Sequence, residues 1–298
     1  MTSPRELAIA VGLFLATLVS VFFTYGWFWT AGPLTDPAIQ RESATFSLAL
    51  MAILGSHELG HWVVARRHGF SLSLPYFIPF PMAFGTLGAI IRLRSEPDNR
   101  TALLEMGAAG PLAGLVVAGV CLAVGLPDTQ PISNLLADSA DGTVLIMGNP
   151  PLMDLLGTWI LGAPPGRFDI LSPLALAAWV GCLLTCMNLL PIGQLDGGHV
   201  ARALWPTHAD RIGKAVLALG LLAGFLLWVG WAVWAVLLWS LGAARGLEVP
   251  TRPGLTRRAR WIAVLAVVAF GLTFMPRPVE TDILGAPAAP AEPGVSVP

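Results

Sequence analysis

Residues 7–29 run for 23 positions without one charged side chain. A helix that crosses a bilayer needs about 20 consecutive, mostly apolar residues, and this chain supplies such runs repeatedly. They fall at 7–29, 44–65, 101–125 and 171–195, over the longer stretch 212–246, and at 258–275. The chain is 55% hydrophobic and 12% charged. Ordinary soluble domains carry about 25% charged residues, so there are too few charges to coat a soluble globule. An integral, multi-pass membrane protein is expected, with the lipid bilayer as its surround. A disordered chain is excluded, because it would need low hydrophobicity. A net charge of −1, with no basic patch outside the membrane flanks, argues against a nucleic-acid partner.

Arg5 before the first run and Thr30-Ala31-Gly32 after it imitate a signal peptide. The run is longer than the usual h-region of about 7–15 residues, so an uncleaved first span is expected. As one helix, 212–246 would measure about 50 Å, against a hydrocarbon core of about 30 Å. A break near Gly230 gives two short spans instead. Positive charge favours the break: with two spans, 14 of the 17 basic residues lie on one side, taken as the inside; with one span, 10 do.

The expected fold is therefore all-α and polytopic, with about seven transmembrane helices and the N-terminus inside. One domain covers 1–276, with a catalytic core at about 44–200. The Pro-, Ala- and Gly-rich stretch 277–298 reads as a disordered tail. The loop 126–168 would face outside, carrying Asp128, Asp138, Asp141 and Asp154 against Arg167 alone. Cys121, Cys182 and Cys186 all lie in apolar runs and read as small buried hydrophobes. Nothing selects an oligomeric state.

Inside the second run stands His57-Glu58-Leu59-Gly60-His61. On a helix, positions i and i+4 share a face, so both imidazoles can reach one metal ion. Glu58 is placed to address a water on that metal. This is the HExxH pattern of zinc hydrolases. Three ionisable side chains within five residues of a membrane helix are costly without partners, and a cation compensates neutral imidazole directly. The bland alternative is a buried His–Glu hydrogen-bond cluster. His57 precedes Arg66, the inner-edge residue, by nine positions, or about 13 Å of helix. A site there lies within the membrane, nearer the inner side.

Catalytic zinc uses three protein ligands and leaves one position open. The fourth run ends in Asn188-Leu189-Leu190-Pro191-Ile192-Gly193-Gln194-Leu195-Asp196-Gly197-Gly198-His199. Pro191, Gly193, Gly197 and Gly198 loosen the helix and allow a turn towards another helix. Asp196 is the leading third ligand, with His199 and Glu105 as rivals.

HELGH at 57–61, GPLAG at 110–114 and NLLPIGQLDGGH at 188–199 resemble, in order, the motifs of the site-2 protease family of intramembrane zinc metalloproteases. The resemblance covers about residues 44–200. It implies one zinc ion per chain held by His57, His61 and Asp196, with Glu58 as catalytic acid/base. It also implies cleavage of a transmembrane segment of a membrane protein substrate. The stretch 75–91 is similar to a subgroup of plastids and photosynthetic bacteria, and a prokaryotic cell membrane is expected. The sequence shows no room for the PDZ domain that many relatives insert.

Residues 70–95 are rich in Pro and aromatics and end in a strand-like run, Thr86 to Arg94. A membrane-associated β-hairpin is expected between the second and third helices. Its edge strand could hold an unwound substrate by strand addition, which makes Gly85, Thr86 and Gly88 candidate substrate-binding residues. The alternative is an ordinary amphipathic loop. Asn188, two turns before Asp196, could hold a substrate carbonyl or the oxyanion, or simply bond between helices. Gly110 and Gly114 form a GxxxG that permits close helix approach. Two other functions compete: a metal-ion or proton transporter built on the same His, Glu and Asp residues, and a non-cleaving binding module.

Overall fold

The computed structural model describes residues 3–30, 32–91, 94, 99–131, 142–240 and 254–284. Asp138, Asp141 and Arg92 lie outside them. Most of the described chain is helical. The first long helix, α1 (Pro4–Phe28), is started by a capping box between Ser3 and Glu6. The second, α2 (Pro37–Arg67), starts at Asp36, whose carboxylate accepts from the Ala38 amide. The third, α3 (Arg100–Gly125), starts at Asn99. These three are long and apolar enough to cross a membrane.

The fourth apolar run departs from expectation. Its helix, α5 (Pro173–Asn188), stops seven residues before the expected end of that run, 195. Pro191 explains the stop, since it cannot donate to the helix and its ring disfavours helical backbone before it. A short helix, α4 (Pro151–Leu161), precedes α5. After a turn the chain resumes as α6 (Asp196–Leu204). The run 212–246 is broken, as expected, into α7 (Ala209–Leu226) and α8 (Val229–Ser240). The break falls at Leu227–Trp228, just before Gly230. The last helix among the described residues is α9 (Arg257–Thr273).

Helix α3 is the hub, packed by α2, α5, α6 and α9. Its far end is fixed to α5 by Ser172, whose hydroxyl donates to the Gly125 carbonyl while capping α5. The main core gathers Val21, Phe46, Leu50, Leu122 and Trp179, all almost fully buried. A second core lies where α9 turns Ala259, Ala263, Ala266 and Ala269 towards Leu104 and Ala108 of α3. Alanine at that spacing makes one flat stripe, which lets the two helices approach closely.

The segment between α2 and α3 forms an antiparallel pair, β1 (Tyr76–Pro79) and β2 (Thr86–Ile90). The strand expected to reach Arg94 ends at Ile90. The pair lies along α1: Phe14 meets Phe77 edge-on, Trp29 stacks on Phe84, and the Trp29 indole donates to the Ala83 carbonyl. At the other end Glu6 pairs with Arg94 and accepts from the Tyr76 hydroxyl. Two further pairs complete the described sheets: the short β3 (Gln130–Pro131) with β5 (Asp169–Ile170), and the longer β4 (Gly142–Met147) with β6 (Val279–Leu284). Strand β6 departs from the disordered tail expected from 277. Val279-Glu280-Thr281-Asp282-Ile283 alternates in the strand period, and the edge of β4 is there to pair with it.

Candidate metal centre

His57 and His61 project from one face of α2, with ring centroids 4.8 Å apart. Asp196 opens α6 and meets them from the opposite side. Its Oδ2 lies 3.2 Å from His57 Nε2 and 3.3 Å from His61 Nε2, and the two Nε2 atoms are 3.0 Å apart. Four-coordinate zinc with bonds of about 2.0–2.1 Å needs ligand atoms roughly 3.3 Å from one another. The triangle observed is close to that size.

The donor set also fits a cation chemically. His61 Nδ1 is 2.8 Å from the Met106 carbonyl, which can only accept, so Nδ1 carries the proton. In the neutral ring Nε2 is then a bare lone pair. It points at a second imidazole nitrogen and a carboxylate oxygen, and a cation is the natural partner for that convergence. The Met106 carbonyl thereby fixes both the tautomer and the orientation of a ligand.

The turn before α6 places Asp196. A Cβ on Gly197 would overlap the Leu189 carbonyl, and one on Gly198 would meet the carbonyls of Ile192 and Gly193. The Asp-Gly-Gly order thus reads physically: the acid is delivered by a turn folded tightly beneath the first residues of its own helix. Glycine matters on α3 for the same reason. A Cβ on Gly107 would press on His199 and the Asp196 carbonyl, one on Gly110 would overlap the His61 ring, and one on Gly114 would crowd His57. The expected GxxxG at 110 and 114 is one part of a longer glycine stripe against which the cluster is seated.

A cavity of about 400 Å³ opens beside the cluster, lined by His57, Glu58, His61, Asn188, Asp196 and His199 among others. Glu58 is 7% exposed. Ala89 and Ile90 of β2, with Ile91, form another wall. Gly85, Thr86 and Gly88 do not line this cavity. Gly85 lies against the α1 backbone at Val21, and the Thr86 hydroxyl donates to the Ile78 carbonyl and accepts from the Gly88 amide. They shape the β1–β2 pair, and its continuation meets the cavity. Of the rival ligands, Glu105 is engaged elsewhere. Its carboxylate accepts from His68 Nε2 at 3.0 Å and lies 3.7 Å from Arg258, tying α2, α3 and α9 together. It is 8% exposed. His199 lines the cavity outside the three-atom cluster. Sequence reasoning missed the Met106 carbonyl, which no side-chain pattern reveals, and Gln194. The latter, two residues before Asp196 and also lining the cavity, was within reach of the motif.

The model of peptidase family M50 matches residues 45–230, which include every residue of the cluster. The chain belongs to peptidase family M50. It is 34% identical over 251 residues to a rice protein named "probable zinc metalloprotease EGY2, chloroplastic", covering 81% of this chain and 44% of that one. The corresponding EGY1 of Arabidopsis thaliana is 29% identical over 255 residues, covering 82% and 44%. The rice EGY3 is 28% identical over 312 residues, covering 96% and 51%. The chain thus spans about half the length of these relatives or less. Their printed location is the chloroplast, which lends no support to a prokaryotic cell membrane. No solved structure matches.

Proposed function

We propose that the chain is an intramembrane zinc metalloprotease that hydrolyses peptide bonds within or near transmembrane segments of membrane proteins. One observation carries this reading: three metal-ligating atoms converge within 3.0–3.3 Å in the wall of a cavity that also holds Glu58. Family membership and the relatives' printed names support it. His57, His61 and Asp196 hold one zinc ion per chain. When bound, the ion supplies Lewis acidity to the attacking water and the scissile carbonyl. Glu58 accepts the water proton and passes it to the leaving amine. Asn188, in the cavity wall, holds the substrate carbonyl.

Seven helices, α1, α2, α3, α5, α7, α8 and α9, are proposed to span the membrane, with the β1–β2 pair embedded beside α1. Among the described residues β2 pairs with β1 alone, and its continuation lines the cavity. That free edge would hold an unwound substrate by main-chain hydrogen bonds. Glu58, His57, His61 and Asp196 share one cavity rather than a path through several helices, which speaks against transport.

The test is metal content and cleavage of a single-span substrate in proteoliposomes, for wild type and Glu58→Gln. One zinc in both proteins, with cleavage only by the wild type, is expected. Full activity of Glu58→Gln would refute the role of Glu58.

A further inference from the structure

The cavity contains a third imidazole that the ligand cluster does not use. His199 stands one turn after Asp196 on α6, about 4.5 Å further along the helix axis. Its Cβ is seated against Gly107 of α3. Its Nδ1 is sealed from solvent and has no hydrogen-bond partner among the described residues. The ring still lines the cavity, in the company of Glu58, Asn188 and Gln194. Since the sealed nitrogen is Nδ1, the ring presents Nε2 to the open space.

A neutral imidazole carries one N–H. A buried donor with no acceptor costs about 1–3 kcal/mol, and orphaned buried N–H groups are rarer than orphaned acceptors. The proton therefore sits on Nε2, where the cavity leaves room for an acceptor, and the bare nitrogen is the sealed one. His61 has the opposite arrangement, with Nδ1–H given to the Met106 carbonyl and Nε2 bare. One cavity thus holds imidazoles of two kinds. His61 offers a lone pair, suited to a cation. His199 offers an N–H, suited to a carbonyl oxygen or an oxyanion.

We propose that His199 is a further catalytic residue, donating its Nε2–H to the scissile carbonyl oxygen as negative charge develops there. The N–H bond is not broken: the hydrogen bond shortens while Glu58 carries the proton traffic. A donor fixed before reaction, in a site shielded from water, strengthens most in the transition state. The inference rests on the peptidase reading above.

The experiment uses the full chain, zinc-loaded in proteoliposomes, as wild type, His199→Leu, His199→Gln and His199→Asn. Cleavage of a single-span substrate is measured beside zinc content. His199→Leu is expected to keep its zinc and lose about 10²-fold in kcat, the scale of one oxyanion donor. His199→Gln, whose amide N–H reaches the place of Nε2, recovers most of that loss. His199→Asn, which reaches only the place of Nδ1, does not. Nitrogen-15 spectra of labelled histidine, assigned with His199→Gln, should show the Nε2–H tautomer. Full activity in His199→Leu, equal rescue by Gln and Asn, zinc loss in His199→Gln, or the Nδ1–H tautomer would each overturn the proposal. Wild type without cleavage would overturn the peptidase reading and this inference together, whereas an active wild type with an equally active His199→Leu overturns this inference alone.

Discussion

The face of α3 that meets α2 and α6, and the hairpin of α7 and α8, are both built almost entirely from apolar and small residues. They are put to opposite uses. On α3, Gly107, Gly110 and Gly114 bring backbone against the side chains of His199, His61 and His57. A single methyl group has nowhere to go. The α7–α8 hairpin also approaches closely within itself, Gly224 against Ala232 and Gly220 against Ala235. Outwardly it shows Leu219, Leu222, Phe225 and Val233 to the surroundings, with Phe225 86% exposed. Composition alone does not separate the two regions. What separates them is whether the neighbouring atoms are functional groups of fixed geometry or surroundings that accept any apolar shape.

The largest effect is expected from Gly110→Ala. Its methyl group would overlap the His61 imidazole, and zinc affinity should fall at least about 100-fold, at the upper end for residues that orient a ligand. Titration against a chelator measures it. Gly119→Ala is the contrasting change on the same helix. Its Cβ would meet no atom of the described residues within 4 Å, so zinc affinity should be unchanged. A smaller effect is expected from Glu105→Gln. It weakens the tie from His68 to Arg258, one residue from the carbonyl that orients His61, and should cost about tenfold in zinc affinity. Phe225→Leu should do least. Thermal unfolding should place it within about 0.5 kcal/mol of wild type, with kcat and KM unchanged.

Much of the candidate site was legible because its signal is local. His57 and His61 are four residues apart on one helix, and the break before Asp196 is written in Pro191 and the glycines around it. The split of 212–246 rests on the same kind of signal, and its expected place near Gly230 is within a few residues of Leu227–Trp228. What escaped was non-local. The Met106 carbonyl carries no side-chain signature, and the partners of Glu105 lie on two other helices. The pairing of β6 with β4 joins segments about 135 positions apart in sequence. Gly85, Thr86 and Gly88 serve the internal geometry of the β1–β2 segment and do not line the cavity, because alternation in a strand does not say which edge is free.

The β1–β2 pair is strapped to α1 at both ends, by Glu6 with Arg94 and Tyr76 at one and by Trp29 with Ala83 and Phe84 at the other. That wall of the cleft is therefore held to α1. The tilt of a membrane helix responds to the thickness of the bilayer around it, and a change in the tilt of α1 would bear directly on the strand pair that walls the cleft.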